Sequence, residues 1–203
     1  MGGIGMKMKS WLSLVAVLCM LAGCAGADGW IVPDNHRPGG TWNSGDYWSG
    51  ISVRLIDDLA TRSGPSTAYT GCGSYRMNGQ YVTALSRAYD NGGVLWIEIE
   101  FSYGGGYRRA WTGAKRLDIS NSQLLMLPEE DPLSWLGYGT VQTVISPRYG
   151  PGDLFSTYPD RNFYPNDQAA VLRWENGYYL VECYHTDGQI LRSWIPEGSV
   201  SVQ

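Results

Sequence analysis

The chain has 203 residues, 43% hydrophobic, 17% charged and 13% aromatic, with a formal net charge of −4. The apolar share excludes a disordered chain, and the acidic balance excludes the basic footprint that nucleic-acid binding needs. Three lysines (Lys7, Lys9 and Lys115) are too few for a helical protein, whereas 27 glycines, 14 tyrosines and 9 tryptophans suit short strands joined by tight turns. An all-β fold is expected.

Residues 1–23 read as a targeting segment. Lys7 and Lys9 precede an apolar run over 11–20 that is too short to span a bilayer. Leu21-Ala22-Gly23-Cys24 follows and resembles the lipobox of bacterial lipoprotein signal peptides. The resemblance implies that Cys24 takes a diacylglyceryl thioether and becomes the new N-terminus, so that the protein is tethered to a membrane by its acyl chains. Ordinary secretory cleavage after Ala25-Gly26-Ala27 is the alternative. Two of the 15 basic residues and none of the 19 acidic ones lie in this segment, so its removal leaves a side-chain charge of −6. An anionic cell wall would repel such a chain, and binding to it must rest on stacking and hydrogen bonds.

Residues 24–50 show neither a period of 2 nor of 3.6 and read as a Gly-rich tether. Its aromatic residues Trp30, Trp42, Tyr47 and Trp48 are expected to pack onto the first domain. The remainder is a degenerate internal repeat. Thr61-Arg62-Ser63-Gly64-Pro65 returns as Pro147-Arg148-Tyr149-Gly150-Pro151, and Val82-Thr83-Ala84-Leu85 as Ala169-Ala170-Val171-Leu172. Trp96-Ile97-Glu98-Ile99-Glu100-Phe101 returns as Tyr178-Tyr179-Leu180-Val181-Glu182-Cys183, and Arg109-Ala110-Trp111-Thr112 as Arg192-Ser193-Trp194-Ile195. These matches place copy one at 51–118, a connector at 119–137 and copy two at 138–203. The run Leu124–Leu127 of the connector is expected to pack between the copies.

Each copy is strand-like. Ile97, Ile99 and Phe101 alternate with Glu98 and Glu100, as in a strand with one wet face. Tyr103-Gly104-Gly105-Gly106-Tyr107 reads as a hairpin loop, and Thr186-Asp187-Gly188-Gln189 as its counterpart in copy two. Trp96, Trp111 and Trp194 lie within strands and are assigned to the core.

Arg62-Ser63-Gly64-Pro65-Ser66-Thr67-Ala68-Tyr69, then Val82–Leu85, Trp96–Ile99 and Ala110-Trp111-Thr112, together resemble the bacterial SH3-like domain. Copy two departs from that pattern, since Arg148-Tyr149-Gly150-Pro151-Gly152 lacks the Ser-Thr pair and Tyr178 replaces the Trp. The resemblance implies two small β-barrels in tandem, each of five or six strands. It also implies extracytoplasmic binding, often of peptidoglycan or its peptide cross-bridges, with the groove beginning near Ser66 and Thr67. Fold alone does not fix the ligand.

The sequence offers little for catalysis. Two histidines, His36 and His185, and no Cys-x-x-Cys give no metal constellation, and no cofactor motif occurs. Cys183 and His185 share a strand face and could form a dyad, but Cys183 aligns with inward-facing Phe101 and His185 begins a turn. Cys72 and Cys183 could form a disulfide between the copies, or stay as free thiols; the inward position of Cys183 favours the thiols. Candidate ligand contacts are the outer-loop residues Ser66, Thr67, Tyr69, Tyr103 and Tyr107 of copy one, and Phe155, Tyr158 and Tyr184 of copy two. Rim packing is the competing role for these aromatics. The expected function is a lipid-anchored, non-catalytic envelope protein that recognises peptidoglycan or wall peptides. The alternative is an accessory scaffold for another exported protein.

Overall fold

The computed structural model describes residues 50–130, 136–184 and 188–203. The targeting segment, Cys24, the arm up to residue 49, residues 131–135 of the connector, and His185 with the first part of its turn lie outside these.

The fold is all-β and contains two sheets. Copy one supplies β1 (Ile51–Leu55), β2 (Leu59–Arg62), β3 (Gly71–Tyr75), β4 (Tyr81–Tyr89), β5 (Leu95–Tyr103), β6 (Gly106–Gly113) and β7 (Leu117–Asp118). They form a seven-stranded sheet in the order β3-β2-β6-β5-β4-β1-β7, a larger sheet than the five or six strands expected. Copy two supplies β8 (Gly137–Val141), β9 (Gln168–Glu175), β10 (Tyr178–Tyr184), β11 (Ile190–Pro196) and β12 (Val200–Val202), in the order β11-β10-β9-β8-β12. Where copy one has β2 and β3, copy two has isolated bridges from Ile145 to Phe163 and from Arg148 to Thr157 and to Trp194. A short 3₁₀ turn, Ala114–Arg116 or Glu197–Ser199, precedes the last strand of each copy.

The connector holds a helix, α1 (Asn121–Met126), where none was expected. Its local signal is a capping box, in which Ser120 Oγ accepts from the Gln123 N–H and the Gln123 side chain accepts from the Ser120 N–H. The run Leu124–Leu127 does not pack between the copies: Leu124 and Leu127 join the core of copy one, and Leu125 and Met126 are exposed.

Hairpins set the register. Gly104 and Gly105 adopt φ of +65° and +84° between β5 and β6, the two positive values that a two-residue type I′ turn requires. Asn176 and Gly177 do the same between β9 and β10. The inner face of β5 (Ile97, Ile99, Phe101) joins Val82 and Ala84 of β4 in the first core. Val171, Val181, Leu191 and Ile195 build the second core, and Cys72 from copy one inserts into it. Trp96, Trp111 and Trp194 are buried as expected, but on the opposite face of each sheet, in clusters of their own.

That opposite face carries the main departure from expectation. Glu98 does not face water; it is 4% exposed, because copy two covers it.

Candidate functional site

The copies grip each other reciprocally. The loop 63–70 of copy one lies on β11, with the Thr70 N–H donating to the Ile190 carbonyl (2.8 Å) and the Ile190 N–H to that of Ala68 (3.2 Å). The loop 149–156 of copy two lies on β6 in the same manner, with the Tyr107 N–H donating to Leu154 O and the Ser156 N–H to Tyr107 O, both at 3.1 Å. One arginine braces each loop from inside. Arg62 donates to the carbonyls of Thr67 and Tyr69, and Arg148 to those of Asp153 and Phe155. The repeated Gly-Pro now has a physical reason. A Cβ on Gly64 would stand 2.2 Å from the Tyr69 ring, and one on Gly150 2.1 Å from the Phe155 ring.

Between the loops lies a buried network of charge. Arg192 donates to Glu182 (2.9 Å) and Glu130 (2.8 Å), while Arg173 donates to Glu130 (2.9 Å) and pairs with Glu98 at 3.4 Å. The Tyr69 hydroxyl donates to Glu182 at 3.0 Å. A second cross-strand pair, Arg109 with Glu100 at 2.7 Å, occupies the place of Arg192 and Glu182 in copy one and also reaches Glu175. Burial disfavours the charged form of Glu98, yet Arg173 and Arg109 outweigh it and hold the carboxyl below its ordinary range. For Glu130, burial prevails over Arg192 and Arg173, and its carboxyl is raised. Each of these carboxylates already accepts from a guanidinium or pairs with one. The network therefore holds the copies together.

This arrangement buries several of the residues expected on outer loops. Tyr69, expected on an outer loop, is 8% exposed and wedged between the copies. Tyr158 is 6% exposed and stacks on Tyr149 at 3.9 Å inside the second core. Phe155 is half-buried under Arg109, whose guanidinium carbon lies 5.3 Å from the ring centre. Tyr184 is half-buried at the end of β10. Tyr103 and Tyr107 do remain open, each 46% exposed, and Tyr107 meets Phe155 across the junction with ring centres 6.2 Å apart. Exposed Leu154 adjoins Tyr107. Thr67 is exposed and Ser66 half-exposed.

Thr67 borders a groove of about 820 Å³ in copy one. Its floor comes from Ala60 of β2 and Gly71, Gly73 and Ser74 of β3. Val94, Leu95 and Trp96 line it beside Gly113, the cross-strand partner of Trp96, and Lys115 and Arg116 follow from the 3₁₀ turn. Asp90 fixes the Trp96 wall: its carboxylate accepts from the Trp96 indole N–H (3.1 Å) and from the N–H groups of Gly92 and Val94. Those hydrogen bonds hold the Asp90 carboxyl below its usual value. Of the residues singled out in the sequence as ligand contacts, Thr67 lines this groove, whereas Lys115 and the small-residue floor were not among them.

Among the described residues the two cysteines, Cys72 and Cys183, are free and buried. Burial pushes the Cys72 thiol up to about 12, and the Cys183 thiol well above its ordinary value. A thiol held protonated in an apolar core is a poor nucleophile. Among the described residues, no group of three or more His, Cys, Asp or Glu is placed to hold a metal ion, and no helix is long and apolar enough to cross a membrane. Compared with protein-family models and with curated proteins, the chain matches none.

Proposed function

We propose that this is a lipid-anchored, non-catalytic protein of the bacterial cell envelope that binds peptidoglycan or its peptides through an SH3-like copy one. The observation that carries the reading is the groove beside Thr67, bordered by the same 62–69 segment on which the family resemblance rests. Copy two lacks the Ser-Thr pair, and in this reading it serves as a brace. The test is co-sedimentation of the chain from residue 28 onward with protein-free sacculi. Pelleting that survives about 0.5–1 M salt, where exposed charge pairs are screened, is the expected result.

A second reading, an accessory subunit that binds another exported protein, is favoured by exposed Tyr107 and Leu154, which adjoin at the junction of the copies. Failure to pellet at every salt concentration would transfer the weight to it.

A further inference from the structure

Glycine inside a strand weakens it and needs a local reason, such as strained backbone, crowding, or the close approach of a ligand. Gly73 has the first reason, with φ of +116° beside the irregular pairing of β2 and β3. Gly71 and Gly113 have neither of the first two. Both have backbone conformations open to any residue, and a Cβ on either would meet nothing within 4 Å. Both line the groove beside Thr67. Any larger side chain at these positions would fill space that the groove now keeps open.

The charge around that space is the reverse of the charge of the whole chain. Arg62, Lys115 and Arg116 line it, whereas its carboxylate, Asp90, is already committed to Trp96 and its own loop. Arg62 and Arg116 are turned to carbonyls of the fold, and Arg116 also pairs with Asp57. Lys115 is exposed and, among the described residues, has no ion pair. The volume suits a ligand of a few residues.

We propose that this groove receives the carboxylate end of a short peptide with small side chains. Lys115 meets the carboxylate, and the methyl groups lie on the Ala60, Gly71 and Gly73 floor against Trp96. The inference rests on the wall-binding reading only for the source of the peptide.

The test is calorimetric titration of the full chain, purified in detergent, with diacetyl-Lys-D-Ala-D-Ala and with its C-terminal amide, followed by the same titrations of Gly71→Leu and Lys115→Gln. The acid is expected to bind, and the amide about tenfold more weakly for loss of a charge-assisted contact. Both variants should lose about as much affinity for the acid while keeping the wild-type unfolding midpoint. Lys115→Gln changes an exposed side chain, so it decides the matter even if Gly71→Leu fails to fold. Failure of the acid to bind, equal binding of acid and amide, or wild-type affinity in folded Lys115→Gln would each overturn the proposal. Sacculi that pellet without peptide binding would overturn the groove and leave wall recognition standing. Peptide binding without pelleting would do the reverse.

Discussion

Tyr69 and Phe155 occupy the same place in their respective copies and differ by one oxygen. Phe155 lies beneath Arg109 and leaves Glu100 to that arginine, at a position where Glu100 is 26% exposed to water. Glu182, by contrast, is 1% exposed, so its second contact comes from the Tyr69 hydroxyl. Tyr69→Phe is expected to cost about 1.5–3 kcal/mol, the range for a hydrogen bond to a buried charged group. The denaturant midpoint checks this, and a change of under about 0.5 kcal/mol would contradict it. The sequence made part of this arrangement legible. Glu182 and Arg192, like Glu100 and Arg109, face each other once the hairpins are drawn. That Tyr69 would be buried was not legible, because the strand that covers it belongs to the other copy.

At the level of elements, the outer face of β5 shows the same limit. Alternation correctly separates Ile97, Ile99 and Phe101 from Glu98 and Glu100, but period 2 distinguishes two faces without saying that either is wet. Glu98 is dry because Arg173 comes from β9, an element with no sequence link to it. Glu98→Gln should destabilise the protein by about 3 kcal/mol at pH 7, since it leaves a buried guanidinium with one partner fewer. The folded carboxyl is held below the ordinary value of 4.5. Its stabilisation is therefore complete above the unfolded pKa and is lost as pH falls through the folded one. Urea titrations should show the gap between wild type and variant narrowing below about pH 4. A gap that stays constant between pH 7 and pH 3 would contradict the assignment. The helix α1 was legible in principle, through the Ser120 and Gln123 pair, but six residues between prolines and acids give no helical period to read.

For the whole molecule, the all-β class and the presence of two copies could be read from composition and repetition, but their mutual dependence could not. Copy one carries the groove with its Thr67 rim, and copy two carries Arg173, which pairs with buried Glu98 of copy one. Cys72 in the core of copy two ties the hydrophobic interiors together as well. Heating should therefore give one calorimetric transition, with equal calorimetric and van't Hoff enthalpies. Two resolved transitions would mean that the copies are independent. The exchanged loops also limit how such a chain can be rearranged over generations. A recombination break in the connector would separate each loop from the strand that receives it, and would expose Glu98 on one fragment and Arg173 on the other. The piece that could be inherited or grafted intact is the pair, so an ancestral single copy would have needed a second molecule of itself in the same position.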